Sequence, residues 1–196
     1  MAADLSEMEL PDVRRRVRQG RRLALARACD ARPGLRVHDA LAGWGTDGLV
    51  LAALGCRVHL SERNAEVYRI LDSRLRAESD RLPRVQSDSI SWAHEDARDR
   101  WRTGGHFDVV YLDPMFGQHP KTALPAKRMQ VLANLAGEMS REVIIELIGN
   151  ARCVASSRVV VKRRARVAAF GQPDWQIRAR SVRFDVYLAV PCCSSD

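Results

Sequence analysis

The stretch LRVHDALAGWGTDGLVLAALGCRVHLSE, Leu35 to Glu62, decides the fold. Residues 35–40 read as a short strand, 42–48 as a glycine-rich turn, and Asp47 to Gly55 as an apolar helix closed by its last glycine. A second strand follows at 56–62. Strand, crossover helix and strand make a βαβ unit, whose strands lie parallel with a right-handed connection. The alternation continues outward. Asn64 caps a helix in which Val67, Ile70, Leu71 and Leu75 share a face. Residues 84–89 read as a third strand and 91–102 as a polar helix. Phe107 to Asp113 is the most apolar strand, as a central strand buried on both faces requires. Helices at 126–136 and 138–151, a strand at 157–163 and two alternating strands within 175–190 follow. Residues 5–30 read as a helix stopped by Pro33-Gly34. The expected fold is α/β and Rossmann-like, with a mostly parallel central sheet, helices on both faces and a C-terminal antiparallel hairpin. The expected organisation is a basic N-terminal helical segment at 1–34 followed by one domain at 35–196.

Gly43 and Gly45 lie in the first strand-to-helix turn, where glycine lets a ligand approach the backbone. Glu62 ends the second strand, where a carboxylate accepts both ribose hydroxyls of an adenosine. NAD(P) and S-adenosylmethionine both satisfy this pattern. A diphosphate needs an open helix N-terminus, but Asp47 occupies that first turn and Asp39 ends the strand before it. Two carboxylates there suit the ammonium and sulfonium of S-adenosylmethionine. Asp88, with Ser89 beside it, is expected to follow the third strand and bind the adenine amino group.

The apolar strand runs on as VVYLDPMFGQHPK, Val109 to Lys121. In a doubly wound sheet the carboxyl ends of the strands line the ligand crevice, which puts Asp113 there beside Asp39, Glu62 and Asp88. Methyl transfer to an exocyclic amine suits such a strand end. The Asp113 carboxylate and the Pro114 carbonyl can grip the two amine hydrogens, and Phe116 offers a face for a base to stack on.

The 196 residues include 32 lysines and arginines against 24 acids, a formal charge of +8, which points to an anionic partner. From Arg152 to Arg183 there are nine basic residues and one acid, Asp174. The five cysteines show no zinc spacing, so no metal is expected, and His38, His59 and His94 read as structural or surface residues. Phe170 and Trp175 read as core packing before base stacking. No apolar run reaches membrane length and the N-terminus lacks a secretory pattern, so the expectation is cytoplasmic with no membrane partner.

Taken in order, DALAGWGTDG (39–48), LAALGCRVHLSERN (51–64), VVYLDPMF (109–116), KTALPAKRM (121–129), RVVVKR (158–163) and RFDVY (183–187) resemble the ribosomal RNA small subunit methyltransferase J family of class I S-adenosylmethionine-dependent methyltransferases. The resemblance runs from about Gly20 to Pro191. It implies methylation of a guanine N2 amino group in 16S rRNA, with small-subunit rRNA or the assembling small subunit as partner. It implies cofactor contacts at Thr46, Asp47, Glu62, Arg63, Asp88, Ser89 and Asp113. The basic positions Lys121, Lys127, Arg128, Lys162 and Arg163 match the family's, and the run 162–166 reads as phosphate contact, which adds Arg164. Trp44 and Thr46 depart from the family pattern, as does Gly117-Gln118. The chain is expected to lack most of the N-terminal extension of fuller members. Its chemistry leaves open an adenine-N6 methyltransferase, and also a non-catalytic RNA-binding module on the same fold. The sequence does not fix an oligomeric state.

Overall fold

A computed structural model describes residues 10–78, 88–114 and 139–191. Seven strands form one sheet: β1 Arg36–Asp39, β2 Arg57–Glu62, β3 Ile90–His94, β4 Phe107–Leu112, β5 Ala155–Arg164, β6 Trp175–Arg178 and β7 Val182–Leu188. Their order is β3-β2-β1-β4-β5-β7-β6. The first five in this order pair in parallel, and β7 runs antiparallel to both β5 and β6. The C-terminal hairpin therefore folds back so that its second strand lies against the parallel sheet.

The helices are α1 Leu10–Val17, a 3-10 turn at Gly20–Arg22, α2 Ala24–Cys29, α3 Thr46–Ala53, α4 Ala65–Glu78, α5 Ala97–Arg102 and α6 Arg141–Val154. They cover both sheet faces. β4 shows why its sequence is apolar throughout: Val109 and Tyr111 enter the cluster shared with α2, α3 and α4, while Val110 and Leu112 enter the one shared with α5 and α6. On α6 the buried stripe is Ile144, Leu147, Ile148 and Ala151, and Ser140 caps the helix. Asn64 caps α4, its Oδ1 accepting from the backbone N–H of Glu66 and Val67.

Three expectations are corrected. The helix read across 5–30 is broken within its described part, because Gly20 takes a left-handed φ of 54° and the chain re-enters a helix only at Ala24. Val13, Leu25 and Cys29 of these pieces join the same core cluster as Val37 and Val58. The third strand is Ile90–His94, not 84–89, and the helix read at 91–102 shrinks to Ala97–Arg102. Five register pairs with β2, from Val58 with Ile90 to Glu62 with His94, outweigh the local helical pattern. Asp96 then starts α5, accepting from the backbone N–H of Arg98 at 2.9 Å. The helix read at 126–136 lies outside the described residues.

The RFDVY run proves structural. Arg183 and Asp185 on β7 form a buried ion pair at 2.6 Å, and the same guanidinium donates to the carbonyls of Ala165 and Val167. Tyr187 donates to the carbonyl of Phe170 at 2.6 Å. Arg183→Met leaves Asp185 charged and buried without its partner. It should cost about 3–5 kcal/mol, measured by urea unfolding against the wild type.

Candidate active site

All five parallel strands end at one edge of the sheet, and β1 sits where the order reverses, with β2 on one side and β4 on the other. This is the switch point at which open α/β sheets bind ligands. Asp39 ends β1, Glu62 ends β2, Asp113 follows β4, and Lys162 lies near the end of β5. Topology thus collects residues from four separate stretches of sequence.

The turn between β1 and α3 is built for close approach. Gly45 caps α3 with φ 68°, a left-handed conformation that disfavours any side chain. At Gly48 a Cβ would stand 2.7 Å from Leu60 Cδ2 and 3.2 Å from Asp39 Oδ2, so glycine there lets α3 settle onto the strand ends. Arg74 of α4 clamps the turn, donating to the Trp44 carbonyl at 2.6 Å and the Thr46 hydroxyl at 2.9 Å. Thr46 is therefore held by protein through its side chain. Glu62 accepts from the backbone N–H of Gly43 at 3.0 Å and of Asn64 at 2.8 Å, one to each oxygen. These bonds orient the carboxylate and leave each oxygen a second lone pair for a hydroxyl.

Asp47 lies in the first turn of α3, as the sequence suggests, but its charge is paired within the protein. Its carboxylate accepts from Arg16 of α1, from the Tyr111 hydroxyl and from Lys162 Nζ at 2.9 Å. Burial pushes this carboxyl up, but Lys162 and Arg16 outweigh burial and hold it well below the usual carboxylate range. Two cations already neutralise this acid as the structure stands, which leaves it less free to accept a cofactor's ammonium. Asp39 is the better candidate. It is 1 % exposed, and its Oδ1 has no hydrogen-bond partner among the described residues. Burial, with Asp47 and Asp113 nearby, pushes its pKa well above the usual range.

Lys162 Nζ bridges the two remaining acids, 2.9 Å from Asp47 Oδ2 and 2.7 Å from Asp113 Oδ2. Desolvation works against its charge, yet Asp113 and Asp47 raise its pKa above the ordinary lysine value. Asp113 is pushed up by desolvation, opposed by Lys162. The lysine expected to hold an RNA phosphate is thus committed to two carboxylates. Arg163 is likewise turned inward. It lies 3.8 Å over the Phe170 ring and donates to the Ala168 carbonyl, because the strand's alternation sends it to the buried face. Arg164 is exposed, and Phe170 is core.

Asp88 and Ser89 precede β3, at the edge of the sheet away from Glu62, because the strand lies further along the chain than expected. Glu95 and Asp96 follow β3 instead, and the sequence reading missed them. Glu95 is fixed by a buried network. Trp101 Nε1 donates to His38 Nδ1 at 2.8 Å, so His38 donates from Nε2 to Ser61 Oγ, which donates to Glu95 Oε1 at 2.8 Å. His59 bonds the same oxygen through Nε2 at 2.7 Å and Ser91 through Nδ1 at 2.9 Å. His38, His59 and Glu95 bring metal-ligand atoms within 4.8 Å of one another, but the histidine nitrogens are taken up by this network. Arg63 is exposed, and its carbonyl accepts from His94. Pro114 is buried. Phe116, Lys121, Lys127 and Arg128 lie outside the described residues.

Arg16, Arg74 and Tyr111 were also missed. Only Tyr111 carried a signal, a phenol inside an otherwise aliphatic strand. The two arginines act across 31 and 28–30 residues of chain, which no local pattern records.

The arrangement fits an adenosine cofactor with a cationic end. The Glu62 carboxylate stands at the end of β2, a turn carrying Gly43 and Gly45 follows β1, and the buried Asp39, whose Oδ1 bonds to no described residue, ends β1. Among the described residues no helix is long and apolar enough to cross a membrane. The family described as "Putative SAM-dependent methyltransferase" matches residues 1–189. Ribosomal RNA small subunit methyltransferase J of Legionella pneumophila is 36% identical over 195 residues, covering 96% of this chain and 76% of that protein. The protein of the same name from Alkalilimnicola ehrlichii is 39% identical over 191 residues, covering 87% and 70%. The crystal structure of a SAM-dependent methyltransferase from Neisseria gonorrhoeae superposes with a TM-score of 0.68 at 31% identity, covering 95% of this chain and 74% of that one. With a family match over residues 1–189 and relatives at 36–39% identity along most of its length, the chain belongs to the ribosomal RNA small subunit methyltransferase J family of S-adenosylmethionine-dependent methyltransferases.

Proposed function

We propose that this chain transfers a methyl group from S-adenosylmethionine to the exocyclic N2 amino group of a guanine in small-subunit rRNA. The observation that carries the reading is the Asp113 carboxylate, held by Lys162 at the end of β4, with Asp39 nearby, whose Oδ1 bonds to no described residue. When bound, the cofactor supplies a methyl group on a cationic sulfur. Glu62 is the acceptor for its ribose and Asp39 for its amino group. The charges support this. Arg16 and Lys162 face Asp39, Asp47 and Asp113, which is one negative charge in excess when all are ionised, and the cofactor carries a net positive charge.

At the acceptor side, Asp113 Oδ2 is committed to Lys162, which leaves Oδ1 for an amine hydrogen. Pro114, with its fixed φ, holds its carbonyl as a second acceptor. Gripping both hydrogens draws the nitrogen lone pair out of conjugation with the purine and aims it along the transfer direction. The nitrogen sheds its proton as it becomes cationic, and the ionised Asp113 is the group placed to take it. Lys162 stays protonated between its two acids, so it positions Asp113 and does not act as a base.

The test supplies the purified protein with methyl-labelled cofactor and, separately, small-subunit rRNA and assembled subunits from a strain lacking the modification. The expected product is N2-methylguanosine, identified by nucleoside mass spectrometry. Label in N6-methyladenosine, or cofactor-insensitive RNA binding without transfer, would sink the reading in favour of its alternatives.

A further inference from the structure

The nine basic residues between Arg152 and Arg183 form one run in the sequence, but the fold separates them. Lys162, Arg163 and Arg183 face inward. Arg152 bonds the Leu188 carbonyl, and Arg158 lies 5.4 Å over Trp175, both away from the crevice. Four remain exposed at the crevice edge: Arg164 at the end of β5 and Arg166 just after it, and Arg178 and Arg180 at the turn from β6 to β7.

These two segments are sewn together. Arg164 pairs with Val182, and Arg178 with Arg183, in the sheet register. The Ala165 N–H donates to the Ser181 carbonyl at 3.1 Å, and the Ala179 N–H donates to the Val182 carbonyl at 2.8 Å to close the turn. From beneath, Arg183 holds the carbonyls of Ala165 and Val167. The four arginines therefore stand on a braced platform. None of Arg166, Arg178 and Arg180 forms an ion pair with a described carboxylate. Arg166, Arg178 and Arg180 lie at neighbouring strand ends, and like charges closer than a screening length of about 8–10 Å repel one another unless a polyanion lies across them. Neighbouring strands are about 4.8 Å apart, so the platform begins one strand from Asp113 and ends three strands away, about 15 Å off.

We propose that Arg164, Arg166, Arg178 and Arg180 form the surface that grips the RNA phosphates flanking the target base, with the strand crossing the ends of β5, β7 and β6. This rests on the RNA-methyltransferase reading for its partner, but the grip is on phosphates and is independent of which base reacts. A guanine amine can reach Asp113 only from a single-stranded or splayed-out nucleotide. Its neighbouring phosphates then need support beyond the crevice, and this rim is the support nearest to β5.

The experiment compares R166E/R180E with R27E/R57E, which reverses two exposed arginines away from the rim. The probe is a labelled single-stranded oligouridylate of about 12 nucleotides, within the span one such surface tracks. It contains no guanine, so failure of the rim is separable from failure of the methylation reading. R166E/R180E should bind roughly tenfold more weakly, with the salt dependence of log K shallower by about 1.4, or about 0.7 for each phosphate that is no longer neutralised. Calorimetric binding of S-adenosylmethionine should be unchanged, which also reports that the variant is folded. R27E/R57E should bind oligouridylate as the wild type does. Equal weakening in both variants, an unchanged salt slope in R166E/R180E, or no binding by the wild type each overturns the proposal.

Discussion

Asp113→Ala will lower methyl transfer by roughly 10³-fold while the protein stays folded and still binds its cofactor. The reason lies in what Asp113 alone supplies. It is the ionised acceptor at the end of β4, and its one described partner, Lys162, keeps a second partner in Asp47 when the aspartate is removed. The lysine is not left buried and unpaired, so the stability cost is small beside the catalytic one. Single-turnover transfer and a thermal melt on the same sample measure both. A rate within tenfold of wild type would remove Asp113 from the reaction. Lys162→Met probes the same pair from the other side. Desolvation and Asp47 push the Asp113 pKa up, and Lys162 opposes them. Removing the lysine therefore moves the acid limb of the rate profile to higher pH, and Lys162→Arg restores it in part. The facing charges are Arg16 on α1, Asp47 on α3, Asp39 on β1 and the Tyr111 phenol on β4. A purely structural lysine would lower the rate at every pH and leave the limb in place.

Asp39→Asn should weaken S-adenosylmethionine binding by roughly 10²-fold, the scale for losing one partner of a buried charged pair, and yet stabilise the ligand-free protein. A buried carboxylate with an oxygen that bonds to nothing described is a cost to folding that function explains. The sign follows from its raised pKa. The folded state holds this proton more tightly than the unfolded chain. The stability it contributes is present at low pH and lost as pH rises through the folded-state pKa. Asparagine removes the penalty of ionising, so its advantage of about 1 kcal/mol should appear near neutral pH and vanish in acid. Cofactor binding draws the proton off, so wild-type affinity falls as pH drops through the same range and the variant's does not. Calorimetry across pH and melting curves at two pH values read out both halves. Equal affinities in the two proteins would exclude Asp39 as the amino-group acceptor.

Much of this site could be read before folding was considered. The glycine turn, the acids ending the first, second and fourth strands, and the Asp-Pro pair are all local patterns. Their periodicity and punctuation reflect backbone conformations that only certain residues adopt. The errors share a cause. Ser91 to His94 looks helical by itself and joins a strand because β2 offers it a parallel partner, which carries Asp88 and Ser89 away from the crevice and brings in Glu95 and Asp96. Asp47 was legible as an acid in its helix turn, but the cations that pair with it were not. Arg16, Lys162 and Tyr111 reach it from 31, 115 and 64 residues away.

The sequence by itself determined the alternating α/β pattern, the glycine turn and the identity of the acids at the ends of the first, second and fourth strands, because hydrophobic period and turn chemistry act over a few residues. The tertiary structure alone decided which charges are paired. It turned Lys162, Arg163 and Arg183 inward, left Asp39 Oδ1 without a partner among the described residues, and set Arg164 and Arg166 beside Arg178 and Arg180. Coulomb energy depends on distance in space and on desolvation, and neither is a property of order along the chain.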